Sequence, residues 1–193
     1  MTLTPLTTDA PIAAAAPRLI QLLKYGIQYP DGSHRVLTTP AAEVTAFDDR
    51  LRQLVVDMFH TMYAHHGVGL AATQFGLGLR VAVVDVSLGK NPAAKIVLVN
   101  PVVIESSGSH RGMEGCLSLP GFQAGVDRPT ACRVRAQDER GDWSDIMGHG
   151  LLARALVHET DHCNGLLYID CISGLRRTMI QGKVKKLIRQ GKW

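Results

Sequence analysis

Apolar and polar positions alternate in two rhythms along this chain, and each predicts a different set of elements. Between Phe47 and His65, Leu51, Leu54, Val55, Met58 and Met62 recur every third or fourth residue, which predicts an amphipathic helix. Thr45 suits its cap, Asp48 and Asp49 fall in its first turn, and Gly67 ends it. A period of two takes over at Arg80–Ser87, Lys95–Glu105 (interrupted by Asn100-Pro101), Ala131–Gln137 and Trp143–Met147, which predicts strands with Arg140-Gly141 as a hairpin turn. Ser106–Gly112 reads as a polar loop, and Met113–Gly121 as an extended segment ended by Pro120-Gly121.

After Gly148–Gly150 the helical rhythm returns over residues 150–164, closed by Asn164-Gly165. Leu151 and Ala155 share a face with His158 and His162, while Leu152, Leu156 and Cys163 line a neighbouring one. A helix apolar on so much of its circumference belongs in the centre of a domain. Leu175–Gln190 predicts a final helix, with Ile180, Val184, Leu187 and Ile188 on one side and cations on the other. Residues 18–45 form a turn-rich entry, and residues 1–17, proline-punctuated and without period, read as a disordered or loosely attached extension. The elements describe one compact α+β domain over residues 18–193, antiparallel or mixed strands packed around the central helix, with a C-terminal helix.

Composition changes this picture in a few respects. Hydrophobic residues make up 46% of 193, ample for a core, while 5% aromatic content argues against a base-stacking platform. The net charge of +4 is concentrated: from Cys171 to Trp193 there are seven cations and no acidic residue. The pI near 9.0 therefore reports on that tail, and the rest of the chain is slightly acidic. The four cysteines show no C-x-x-C spacing, no secretory signal is evident, and no apolar run reaches the ~20 residues of a membrane span, so a reducing cytoplasm is the expected setting.

The chemistry concentrates in His158-Glu159-Thr160-Asp161-His162, an H-E-x-x-H pattern. Four residues advance about 400° on a helix, so the two imidazoles project from one face and can share a metal ion. Glu159 can then lean toward a water on that ion. Two histidines leave such a site short of its third protein ligand. Cys116 is the best candidate, flanked by Gly115 and by a segment that Pro120-Gly121 forces to turn. A thiolate with two imidazoles leaves one position open, the arrangement of a catalytic site. A lone cysteine is also commonly a small buried hydrophobe, and that reading stands beside the first. Cys163, next to His162 and pointing about 100° away, reads as packing.

Three segments together resemble the peptide deformylase family: Gly67-Val68-Gly69-Leu70-Ala71-Ala72-Thr73-Gln74, Glu114-Gly115-Cys116-Leu117-Ser118, and His158 to His162. Val126-Asp127-Arg128-Pro129 and Val134–Asp138 are similar to that family's central strands, so the resemblance spans about residues 19–190. It implies Cys116, His158 and His162 as metal ligands and Glu159 as general acid/base. It implies Gln74 and the Leu117 N–H as donors to a developing oxyanion, and Val68, Gly69 and Gly115 as lining the substrate's path. The implied reaction is hydrolysis of the N-formyl group from the N-terminal methionine of nascent polypeptides, releasing formate after a metal-bound water attacks the formyl carbon. The implied cofactor is one divalent ion, Fe²⁺, with Zn²⁺, Ni²⁺ or Co²⁺ possible in purified protein. Two positions depart from the family pattern: Val157 stands where Gln is common and Cys163 where Leu is common, which bears on helix packing.

Glu114, Asp161 and Arg128 are candidates for orienting the ligands, with surface ion pairing as the equal alternative. The cationic helix 175–190 is either a solvated face or a contact to ribosomal RNA. A zincin-like endopeptidase would need a downstream ligand, and no His follows position 162. A metal-binding, ribosome-associated module without hydrolytic activity would have no use for Glu159.

Overall fold

Strand β2, Val81–Val84, is buried at all four positions, and the architecture follows from covering its two faces. The protein is described by a computed structural model covering residues 16–193. Side chains alternate across a strand, so Val81 and Val83 face one way and Ala82 and Val84 the other. The first pair packs with Leu70 and Val99 against helix α1, Asp49–Ala64, through Val55, Met58 and Met62. The second packs with Ala71 and Leu98 against helix α2, Leu151–Cys163, through Ala153, Ala155 and Leu156. Such layering is the usual way a sheet with two apolar faces is kept from water.

The sheet has five strands. Strands β1 (Gly69–Ala71), β2, β3 (Ile96–Ser107), β6 (Ala131–Gln137) and β7 (Trp143–His149) lie in the order β1-β2-β3-β6-β7. Strands β4 (His110–Gly115) and β5 (Gln123–Arg128) form a separate hairpin. Every pairing of these strands is antiparallel. A third apolar cluster joins that hairpin to helix α3, Gly174–Arg189, through Val126, Leu119, Tyr168, Ile180 and Val184. Trp193 docks edge-on against Phe122, and its indole N–H donates to the Tyr25 carbonyl at 2.8 Å.

The predicted helices and hairpin are present, with several corrections. Asp48, not Thr45, caps α1, its carboxylate accepting from the N–H groups of Arg50 and Leu51. Ser106–Gly112, expected as a loop, is mostly strand: β3 runs to Ser107 and β4 begins at His110, leaving a tight connection at Gly108 (φ +66°). Polar composition misled there because the strand ends face solvent. Asn100-Pro101 does not break β3. Asn100 takes a left-handed φ of +53°, the register shifts, and its buried amide bridges Val44 to Gln137. Leu151, expected on a buried face, is exposed at the rim of the cleft described below.

The expectation for residues 1–17 falls almost wholly outside the described residues. Arg18 is anchored: its backbone N–H and guanidinium donate to the Asp57 carboxylate, and the Ile20 N–H donates to Thr61 Oγ.

Candidate metal centre and catalytic cleft

The two sheets meet at a cleft, and the chemistry-bearing residues come to it from separate parts of the chain. Helix α2 brings His158 and His162, whose ring centroids lie 5.0 Å apart at 73°. Cys116 arrives from the turn after β4, where its carbonyl accepts from the Leu119 N–H at 2.8 Å. Cys116 Sγ lies 3.2 Å from His162 Nε2, and the three ligand atoms of Cys116, His158 and His162 fall within 4.8 Å of one another.

This donor set fits one ion. Ligands held tetrahedrally at ~2.0–2.3 Å from a shared metal stand roughly 3.3–3.6 Å apart, and the 3.2 Å between Cys116 and His162 is close to that. His158 Nδ1 lies 3.1 Å from Glu114 Oε2, so that nitrogen carries the proton and Nε2 keeps its lone pair for a metal.

Glu159 lies beside the triad on the same helix, buried, with Oε2 unpartnered. Burial, with the nearby Glu114 and Asp161 charges and against the pull of His158, pushes its carboxyl up to about 7. A carboxylate at that value accepts and returns protons near neutrality.

Gln74 belongs to a short 3-10 turn that follows β1. Its Oε1 accepts the Ala71 N–H at 2.9 Å, which fixes the amide orientation and leaves Nε2 facing Cys116 Sγ at 3.3 Å. A neutral donor is thus held toward the metal site without a charge of its own.

Glu114 is the electrostatic hub. Arg128 donates to both its oxygens, Arg154 Nη1 donates at 2.6 Å, and His158 faces it. Burial alone would raise its pKa, but the bonds from His158 and Arg128 prevail and hold it at about 2. Arg128 also donates to Asp161 at 2.6 Å, so the buried Glu114–Arg128 pair extends to a partly buried Asp161 rather than lying on the surface. Arg154 was not singled out in the sequence. It stands one helical turn before His158, a lone cation in an apolar stretch, and donates to the carbonyls of His110 and Val126 as well as to Glu114. It clamps the hairpin carrying Cys116 to the helix carrying the histidines.

The cleft measures about 760 Å³. Val68, Gly69, Gly115 and Leu117 line it together with Gln74, Cys116, His158 and Glu159. Of the sequence candidates, His162, Arg128 and Asp161 do not border this cavity; His162 is buried beneath it, and the remaining candidates line it. Cys163 is wholly buried against the sheet with Val157 at the margin of the same cluster, and burial pushes its thiol up to about 12.

Comparison with known proteins agrees with this geometry. The family described as polypeptide deformylase matches residues 27–178. The chain is 45% identical over 167 residues to a peptide deformylase of Acidobacterium capsulatum, covering 86% of this chain and 96% of that one. It is 44% identical to peptide deformylase 1 of Pseudomonas syringae pv. tomato, over 83% and 93% of the two chains. The crystal structure of a peptide deformylase from Legionella pneumophila superposes with a TM-score of 0.79 at 41% identity, covering 90% of this chain and 98% of that one. Sequence, fold and the Cys116–His158–His162 cluster agree, and the chain belongs to the polypeptide deformylase family.

Proposed function

We propose that this protein is a metal-dependent peptide deformylase that hydrolyses the N-formyl group from the N-terminal methionine of newly made polypeptides and releases formate. The observation that carries the reading is the convergence of three ligand atoms with the unpartnered Glu159 carboxylate and the oriented Gln74 amide in one cleft.

Cys116, His158 and His162 would hold the ion. When bound, it supplies Lewis-acid polarisation and brings the ionisation of water near neutral pH. Glu159 takes the proton from the attacking water and later passes it to the leaving amine. Gln74 Nε2 and the Leu117 N–H meet the formyl oxygen as it gains charge, and each such donor is worth about 10²–10³ in rate. Val68, Gly69 and Gly115 border the peptide's path. A formyl carbon carries only hydrogen, so a tight site admits it and rejects acetyl.

We assign Fe²⁺ as the native ion. One thiolate and two imidazoles suit Zn²⁺ as well, and Ni²⁺ or Co²⁺ can occupy such a site in purified protein. A thiolate ligand and four free cysteines suit a reducing cytoplasm. Among the described residues no helix is long and apolar enough to cross a membrane. The outward cations of α3 (Lys185, Lys186 and Arg189) are exposed and suit ribosomal RNA near the emerging chain.

The test is anaerobic turnover of a formyl-Met peptide with metal quantified in the same sample and a chelator control. Turnover that disappears with the metal supports the reading. No turnover at full occupancy would overturn it. Salt-dependent ribosome binding that survives charge reversal at Lys185, Lys186 and Arg189 would remove the ribosomal contact.

A further inference from the structure

A second depression of about 540 Å³ adjoins the catalytic cleft and shares Gly121, Phe122 and Gln123 with it. Its other wall is the first half of α3, where Leu175 and Met179 are exposed at 76% and 56% over a buried Ile180. Arg176 and Lys183 stand on that wall, and no acidic side chain lines the groove. The neighbouring Arg177 is paired with Asp170 at 2.6 Å, whereas Arg176 and Lys183 form no ion pair among the described residues. Leu175 and Met179 thus make an apolar strip flanked by two cations that have no ion-pair partner among the described residues.

We infer that this groove is a downstream subsite for the substrate polypeptide, taking an apolar residue with an acidic neighbour beyond the residues seated in the catalytic cleft. Continuity through Gly121–Gln123 supplies the route, since a chain leaving the cleft along this wall passes directly onto α3. Complementarity supplies the preference: Leu175 and Met179 offer apolar area, and Arg176 and Lys183 attract a carboxylate. The inference rests on the deformylase reading and adds a selectivity among nascent chains to it.

The experiment compares kcat/KM for formyl-Met decapeptides that carry Asp or Lys after an apolar downstream residue, alongside a formyl-Met tripeptide too short to reach the groove. With the native enzyme at low salt, the acidic decapeptide should exceed the basic one by about five- to tenfold, the order expected for two exposed ion pairs. Raising the salt should shrink that ratio. The double substitution Arg176→Glu with Lys183→Glu should invert it and leave tripeptide turnover unchanged. Equal rates on the two decapeptides, or a preference that survives the double substitution, would overturn the subsite. Ribosome binding lost in the double variant, with no charge preference in the native enzyme, would assign these cations to RNA instead. Absence of tripeptide turnover in metal-loaded native enzyme would overturn the deformylase reading itself, and the subsite with it.

Discussion

Gly69 and Glu159 are in direct register across the cleft: a Cβ added at Gly69 would lie 2.7 Å from Glu159 Cδ and 2.8 Å from its Cγ. No rotation of the backbone is at issue, because Gly69 does not have a positive φ. The glycine is required for space. It allows β1 to approach α2 closely enough that the carboxylate is buried while still lining the cleft.

Gly69→Ala is therefore expected to displace Glu159 and lower kcat by about 10²-fold or more, since a positioned acid/base contributes about 10²–10⁴. Metal content, which on the proposed reading depends on Cys116, His158 and His162, should persist. Steady-state kinetics beside metal analysis on one preparation is the check; kcat within twofold of native would mean the carboxylate is not held by this contact.

Glu114→Ala should be among the most damaging changes outside the ligands. It leaves the buried Arg128 and the partly buried Arg154 without their shared partner, and breaking a buried pair costs about 3–5 kcal/mol. It also frees His158 from its orienting carboxylate, which lowers metal affinity about 10- to 100-fold. Urea denaturation and a chelator competition measure the two effects separately. Native-like affinity would show that His158 is oriented by packing alone.

Gln74→Ala removes a donor facing the site and is expected to lower kcat about 10²–10³-fold. It also deprives the buried Ala71 N–H of its acceptor, at about 1–3 kcal/mol of stability. Normal turnover in a variant with lowered stability would confine Gln74 to the structural role.

Asp57 ties the entry segment to α1, and its pKa lies below the ordinary carboxylate range. Burial opposes this, but bonds from the Arg18 N–H, Gln53 and the Arg18 guanidinium outweigh it. A folded-state pKa below the unfolded value of about 3.9 stabilises the fold above that pH, and the contribution fades as pH falls through the lower folded value. Native protein should thus exceed Asp57→Asn in stability at pH 7, and the gap should close in acid. Hydrogen exchange at the Arg18 and Ile20 amides should quicken in the variant. A gap independent of pH would indicate that packing, not charge, carries the effect.

Much of this protein is legible along the chain because much of it is local. The period of α1, the heptad-like spacing of Ile180, Val184 and Leu187, and the strand of Ala131–Gln137 are properties of neighbouring residues, and they are found where expected. The pairing of His158 with His162 is equally local, fixed by helical pitch. Three linked motifs, taken together, carry the resemblance to the family in the residues alone.

Other features required distant segments to meet. Cys116 is 42 residues from His158 and acquires its place only because the β4–β5 hairpin folds onto α2 under the Arg154 clamp. β1 is three residues long and carries no readable alternation, yet its register beside Val84 sets the Gly69–Glu159 contact. The polar sequence of Ser106–Gly112 pairs as strand because its partners lie elsewhere in the chain. The residues alone supply the chemical groups. Their distances, the burial that poises Glu159, and the bonds from His158 and Arg128 that hold Glu114 ionised all come from tertiary packing, which alone brings together groups far apart in sequence.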